Sequence, residues 1–178
     1  EVRTHLHDNF NRRPEKRTTL ISCELEKYFV DIVALSETRL SGEGQINEPT
    51  YDYIIFWRGL PEGQRRESGV GFALKNSLVS FIAEFTSCIS EGTISCRIKL
   101  TKGRFLTDIS IYAPTISHSD ETVGQFYDDI AQLLKKVPIS DKLAILGNFN
   151  ARVGNDYITW LVLDRHGMEN AINVKKLF

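Results

Sequence analysis

The stretch Lys142-Leu-Ala-Ile-Leu-Gly-Asn-Phe-Asn-Ala-Arg-Val-Gly154 decides how the rest of the chain is read. Leu143 to Leu146 is an uninterrupted apolar run, the pattern of a strand buried on both faces of a sheet. Gly147 is expected to stop that strand, and Asn148 and Asn150 follow with Phe149 between them. Residues two apart on an extended chain point to one side, so both carboxamides can face one cleft at the strand's C-terminal end. Open α/β sheets place their chemistry there. Taken without its surroundings, the same stretch also suits a plain turn.

The surroundings favour the strand. Immediately upstream, Val123, Phe126, Tyr127, Ile130, Leu133, Leu134 and Val137 form one apolar helical stripe. Ser119 can cap its start, Asp120 and Glu121 suit the positive end of the dipole, and Lys135 and Lys136 suit the other. Pro138 ends it. Before this helix, Ile94, Cys96, Ile98 and Leu100 alternate with polar residues, which predicts a half-exposed strand. A turn at Lys102-Gly103 then leads into Phe105 to Tyr112, where Ile109 and Ile111 repeat the alternation and complete a hairpin.

Further upstream, Asp31 to Glu37 reads as a buried strand ending in an acid. Tyr51 to Trp57, Gly69 to Leu74 and Leu78 to Phe85 read as further strands. Ser41 to Asn47 and Arg58 to Ser68 read as polar loops, the second carrying Arg65 and Arg66. Leu20, Ile21, Leu25, Tyr28 and Phe29 predict an amphipathic helix from Arg17 to Phe29. Residues 1 to 16 read as a solvated segment, a short apolar patch spans Ile158 to Leu163, and the chain ends on what resembles an opening helical turn, Val174 to Phe178. Strand-helix-strand units mixed with hairpins indicate an α/β chain with two sheets and helices outside them.

Composition sets limits. At 178 residues with 42% hydrophobic content, a single domain with its own core is feasible. The formal net charge of -1 excludes a global positive field, so any nucleic-acid role must rest on local basic patches or on a metal. Cys23, Cys88 and Cys96 form no Cys-x-x-Cys pair, which argues against a disulfide framework or a zinc site. The sequence has no Asn-x-Ser/Thr sequon, no apolar run long enough to span a membrane and no visible secretory signal. An intracellular, reducing compartment is the expectation. Gly69-x-Gly71 is a poor dinucleotide-binding signal, since it opens a strand and lacks a third glycine.

Four ordered motifs carry a resemblance: Leu35-Ser-Glu-Thr-Arg39, Ser68-Gly-Val-Gly-Phe-Ala73, Ile111-Tyr-Ala-Pro-Thr115 and Leu146-Gly-Asn-Phe-Asn-Ala151. Together they resemble the endonuclease/exonuclease/phosphatase superfamily. More narrowly they are similar to the endonuclease domains of non-LTR retrotransposons, which accompany a reverse transcriptase, and to the craniofacial development protein 2 group. The resemblance implies a four-layer αββα sandwich (DNase I-like), acting as a monomer that hydrolyses phosphodiester bonds in DNA with Mg²⁺ (or Mn²⁺). By the same resemblance Glu37 is the metal-binding acid, Tyr112 faces the scissile phosphate, and Asn150 orients the attacking group or the phosphate. Arg39 would approach a phosphate oxygen, with Arg65 and Arg66 as further DNA contacts, and Arg12 and Arg13 could add phosphate contacts.

Three departures bear on activity. Asn148 stands where the family's Gly-Asp-Phe-Asn motif has its aspartate, and a neutral amide cannot take up a proton. Glu1 occupies the place of the family's first-strand asparagine. The family's closing strands and their Ser-Asp-His triplet are expected beyond Phe178, so residues 1–178 read as one C-terminally truncated domain. His5, His7, His118 and His166 are in no matching context. The expectation is a domain with much reduced catalysis, or one that only binds DNA or metal weakly.

Overall fold

A computed structural model describes residues 2–3, 14–61, 69–87, 92–115 and 117–150. Its elements are β1 (Val2–Arg3), α1 (Pro14–Lys27), β2 (Ile32–Ser36), β3 (Glu43–Glu48), β4 (Tyr53–Arg58), β5 (Val70–Lys75), α2 (Asn76–Val79), β6 (Ile82–Ser87), β7 (Thr93–Lys99), β8 (Phe105–Tyr112), α3 (Asp120–Lys136) and β9 (Lys142–Asn148). The strands form a five-stranded sheet in the order β1-β2-β5-β4-β3 and a four-stranded sheet in the order β6-β7-β8-β9.

The two sheets pack face to face because each presents an apolar side to the other. Ala34, Val70, Phe72 and Leu74 of the first sheet meet Ile94, Cys96 and Ile98 of the second in one buried cluster. Helix α1 covers the outer face of the first sheet, with Leu25 packed on Leu35, Tyr53, Ile55 and Ala73. Helix α3 covers the outer face of the second, with Phe126, Ile130 and Leu133 on Ile109, Ile111 and Ala113. The layering is therefore αββα, as the resemblance implied.

Helix α3 forms as its stripe predicts, and Ser119 caps it by accepting the Thr122 N–H at 3.2 Å. The hairpin between β7 and β8 also forms, turning at Thr101–Gly103, where Lys102 (φ 60°) and Gly103 (φ 71°) adopt left-handed conformations. Bidentate hydrogen bonds from Arg97 to Asp141, at 2.6 and 3.0 Å, tie β7 to the turn before β9.

Several expectations are corrected. The apolar run of β9 is not buried on both faces: β9 pairs with β8 only, and among the described residues it is an outer strand. Leu143 and Leu146 remain exposed there. Gly147 does not stop this strand but lies within it, paired with Ile111. The reason for glycine is proximity, since a Cβ there would stand 1.9 Å from the Ile111 carbonyl oxygen, at a φ of 130°.

Glu43–Glu48, read as loop, is a strand that pairs with β4 along its whole length; backbone pairing at the sheet's edge overrides a polar sequence. Leu78 begins no strand, because Asn76–Val79 is a helical turn and β6 starts at Ile82. Helix α1 starts at Pro14 and ends at Lys27, and its inward face is Thr18, Ser22 and Leu25, while Leu20, Tyr28 and Phe29 are exposed. The hydroxyls of Thr18 and Thr19 donate to the buried Glu48 carboxylate, which explains a polar stripe facing the sheet. Nor are β7 and β8 half-exposed. Their polar residues Thr93, Ser95, Asp108 and Ser110 are buried, because the second sheet is covered on both sides.

Candidate active site

Strand β2 delivers Glu37. The strand's burial ends at Ser36, and Glu37 and Arg39 both take a left-handed φ of 54°, rare for residues with a Cβ. Between them Thr38 is buried and its N–H donates to the Gly69 carbonyl at 3.2 Å. Gly69 (φ 127°) makes this possible, because a Cβ there would stand 2.4 Å from Thr38 Oγ1. The turn at 37–39 is thus held against the start of β5, with strain of the kind that clusters at functional sites.

Strand β8 delivers Tyr112 from the opposite sheet. The Tyr112 hydroxyl donates to Glu37 Oε1 at 3.3 Å, and the Arg39 guanidinium lies 3.6 Å from Glu37 Oε2. Strand β9 delivers the amides. Tyr112 and Asn148 are register partners, and the Ala113 N–H donates to the Asn148 carbonyl at 2.8 Å. Asn148 is buried, its Oδ1 accepts the Asn150 N–H at 2.9 Å, and the Asn150 amide donates to the Ala113 carbonyl. Glu37, Arg39, Tyr112, Asn148 and Asn150 therefore share one rim of the sandwich.

Not every group is satisfied. Asn148 Nδ2 and Arg39 Nε are buried without a hydrogen-bond partner, two donors available to an anion. Among the described residues no three His, Cys, Asp or Glu side chains converge as a metal cage. Glu37 is one carboxylate, and a hard divalent ion that keeps most of its waters needs only one or two.

Arg12, Arg13, Arg65 and Arg66, together with Ile158 to Leu163 and the terminal turn, lie outside the described residues. His118 stands apart from the site, its Nδ1 3.0 Å from the Thr115 hydroxyl. Sequence reading missed Asp108, a buried acid on the same strand and face as Tyr112, whose Oδ1 has no partner. Burial pushes its carboxyl up to about 6. Its signal was present, since Asp108, Ser110 and Tyr112 are spaced by two along a strand.

No described helix is long and apolar enough to cross a membrane. Craniofacial development protein 2 of Bos taurus is 31% identical over 139 residues, covering 78% of this chain and 22% of that protein. The Tragulus javanicus protein of the same name is 30% identical over 139 residues, covering 78% and 23%. The chain thus spans about a fifth of the length of these curated relatives.

The fold matches D. rerio TDP2, solved with a single strand DNA product, with a TM-score of 0.55 at 17% identity, over 82% of this chain and 57% of that one. It also matches the Xenopus laevis APE2 catalytic domain, with a TM-score of 0.56 at 17% identity, over 78% and 55%. At that identity the likeness establishes the fold. The Endonuclease/Exonuclease/phosphatase family profile matches residues 9–167, nearly the whole chain, and the chain belongs to that family.

Proposed function

We propose that this chain is a phosphodiester hydrolase domain of the retrotransposon-endonuclease kind, acting on DNA with Mg²⁺ or Mn²⁺ at a much reduced rate. The observation that carries the reading is the hydrogen bond between Tyr112 and Glu37, which joins an acid from one sheet to a phenol from the other beside the paired amides of β9. The DNA-bound state of one neighbour in fold supports DNA as the substrate.

Glu37 would hold the cation through one carboxylate, with water completing its shell; when bound, the ion supplies positive charge to the phosphate and makes its water more acidic. Tyr112 fixes the orientation of Glu37 and closes the cleft from the second sheet. Asn150 positions Asn148, and the free Asn148 Nδ2–H and Arg39 guanidinium offer donors to phosphate oxygens. What is missing is a proton acceptor at position 148. General-base assistance typically contributes ~10²–10⁴ in rate, so the loss leaves slow turnover.

A second reading, a domain that binds DNA without cutting it, is favoured by the same neutral Asn148. Nicking of supercoiled plasmid in Mg²⁺ separates them. Slow nicking that is lost in Glu37→Gln is the expected result. DNA binding with no nicking would establish the second reading, and nicking unaffected by Glu37→Gln would remove the site altogether.

A further inference from the structure

A groove of about 400 Å³ opens between the far edges of the two sheets, lined by Glu43, Gln45, Phe56, Arg58, Phe85 and Ile94. Its place relative to the site follows from strand register. Ser36 pairs with Val70, Val70 with Arg58, and Arg58 with Glu43, so one row of residues runs along the rim from the residue before Glu37 to the groove. Two strand spacings separate Ser36 from Arg58, ~10 Å. On the other sheet, Ile94 pairs with Ser110, two residues before Tyr112. Groove and site therefore share the same end of the sandwich.

The lining is chemically mixed. Phe56 and Phe85, ring centroids 4.6 Å apart, form an apolar wall with the buried Ile94. Trp57 and Gly44 complete the lining, with the Trp57 ring against Gly44 and its Nε1–H donating to the Ser41 carbonyl. The side chains of Glu43, Gln45 and Arg58 enter no hydrogen bond or ion pair among the described residues. Opposite charges at Glu43 and Arg58 balance one another, which disfavours a phosphate and favours a neutral polar heterocycle.

We propose that this groove takes the unpaired base of a nucleotide about three steps along the strand from the one at Glu37, with guanine the best fit; the proposal rests on the reading that the rim handles DNA. The Arg58 guanidinium matches the O6 and N7 acceptors of guanine, and the Glu43 carboxylate matches its N–H donors. Gln45 can serve either edge, and the phenyl wall offers a face for stacking. The ~10 Å offset corresponds to about three stacked nucleotide rises of ~3.4 Å, within reach of one strand.

The test uses the unaltered chain in EDTA, where hydrolysis is stopped. Single-stranded tetranucleotides, which span three rises, ending in guanine, thymine or an abasic sugar are titrated while the Gln45 and Arg58 resonances are followed. The guanine form should bind about tenfold tighter than the abasic one and shift both residues. Glu43→Gln, exposed and isosteric, and Arg58→Ala should each bring guanine down to the thymine level, with melting temperature reporting intact folding. Equal binding of all three tetranucleotides, or shifts confined to Glu37 and Tyr112, overturns the groove. Plasmid nicking is measured alongside: base selectivity without nicking removes the hydrolase reading and leaves the groove, and nicking without base selectivity does the reverse.

Discussion

Tyr112 of the second sheet donates to Glu37 of the first, so the candidate site exists only while the two sheets hold their relative position. Tyr112→Phe removes that bond and keeps the ring. Cation binding, followed by Mn²⁺ paramagnetic broadening, should persist, because the Glu37 carboxylate remains. Plasmid nicking should fall by about tenfold or more, since a hydrogen bond to a charged group is worth ~1.5–3 kcal/mol. Unchanged nicking would show that the phenol has no part in the chemistry.

Arg39 lies 3.6 Å from the same carboxylate, and its Nε has no partner. Arg39→Gln should weaken DNA binding about equally across sequences and reduce the slope of log K against log salt by about 1. Filter binding over a salt series reads both quantities. An unchanged slope would mean that Arg39 serves only to neutralise Glu37.

Asp108 gives a pH signature with a definite sign. Its carboxyl titrates at about 6 in the folded chain against 3.8 for a freely solvated aspartate, because burial disfavours the charged form. The folded state therefore holds the proton more tightly than the unfolded state. The associated stability is fully present below pH ~4 and is lost as pH rises through about 6. The difference of about 2 pH units corresponds to roughly 3 kcal/mol as an upper bound. Asp108→Asn should raise stability at pH 7 and flatten the urea midpoint between pH 4 and 7. A midpoint that falls at pH 7 in the variant would show that the carboxylate is paired.

Gly147 is the hinge on which Asn148 is placed. With a φ of 130° and the Ile111 carbonyl oxygen 1.9 Å from where a Cβ would sit, alanine cannot be accommodated without parting β8 from β9. Gly147→Ala should cost about 2–4 kcal/mol, measured by thermal unfolding, and should abolish nicking even in the fraction that stays folded. Gly103→Ala is the comparison, because its added Cβ meets nothing within 4 Å; it should cost only the strain of its positive φ.

What could be read in advance was local. Periodicity alone located α3 and its Ser119 cap, and the four motifs together gave the sandwich and brought Glu37, Tyr112 and Asn150 to one rim. The failures have a common physical source, because alternation records how polar a residue is and not what covers it. Asp108 and Ser110 alternate with Ile109 and Ile111 like a solvated face, yet the opposing sheet covers them. Glu43–Glu48 has few strand-forming side chains, and its pairing comes from the backbone of β4. The apolar run of β9 has the pattern of an inner strand, but register and sheet order are set by partners far away in sequence.

Asn148→Asp asks whether position 148 alone limits turnover. The present amide accepts the Asn150 N–H through Oδ1 and leaves Nδ2 unpaired. An aspartate keeps the acceptor and replaces the orphaned donor with a second oxygen capable of taking a proton. On the same rim as Glu37, it adds a second negative charge at a buried position, which costs stability without a cation and returns it when Mg²⁺ is present. The variant should therefore melt lower in EDTA than the unaltered chain and gain more from Mg²⁺. Its nicking should rise, by less than the ~10²–10⁴ that general-base assistance provides elsewhere. A rise in Mg²⁺-dependent melting temperature with no gain in nicking would place the limiting defect elsewhere than at residue 148.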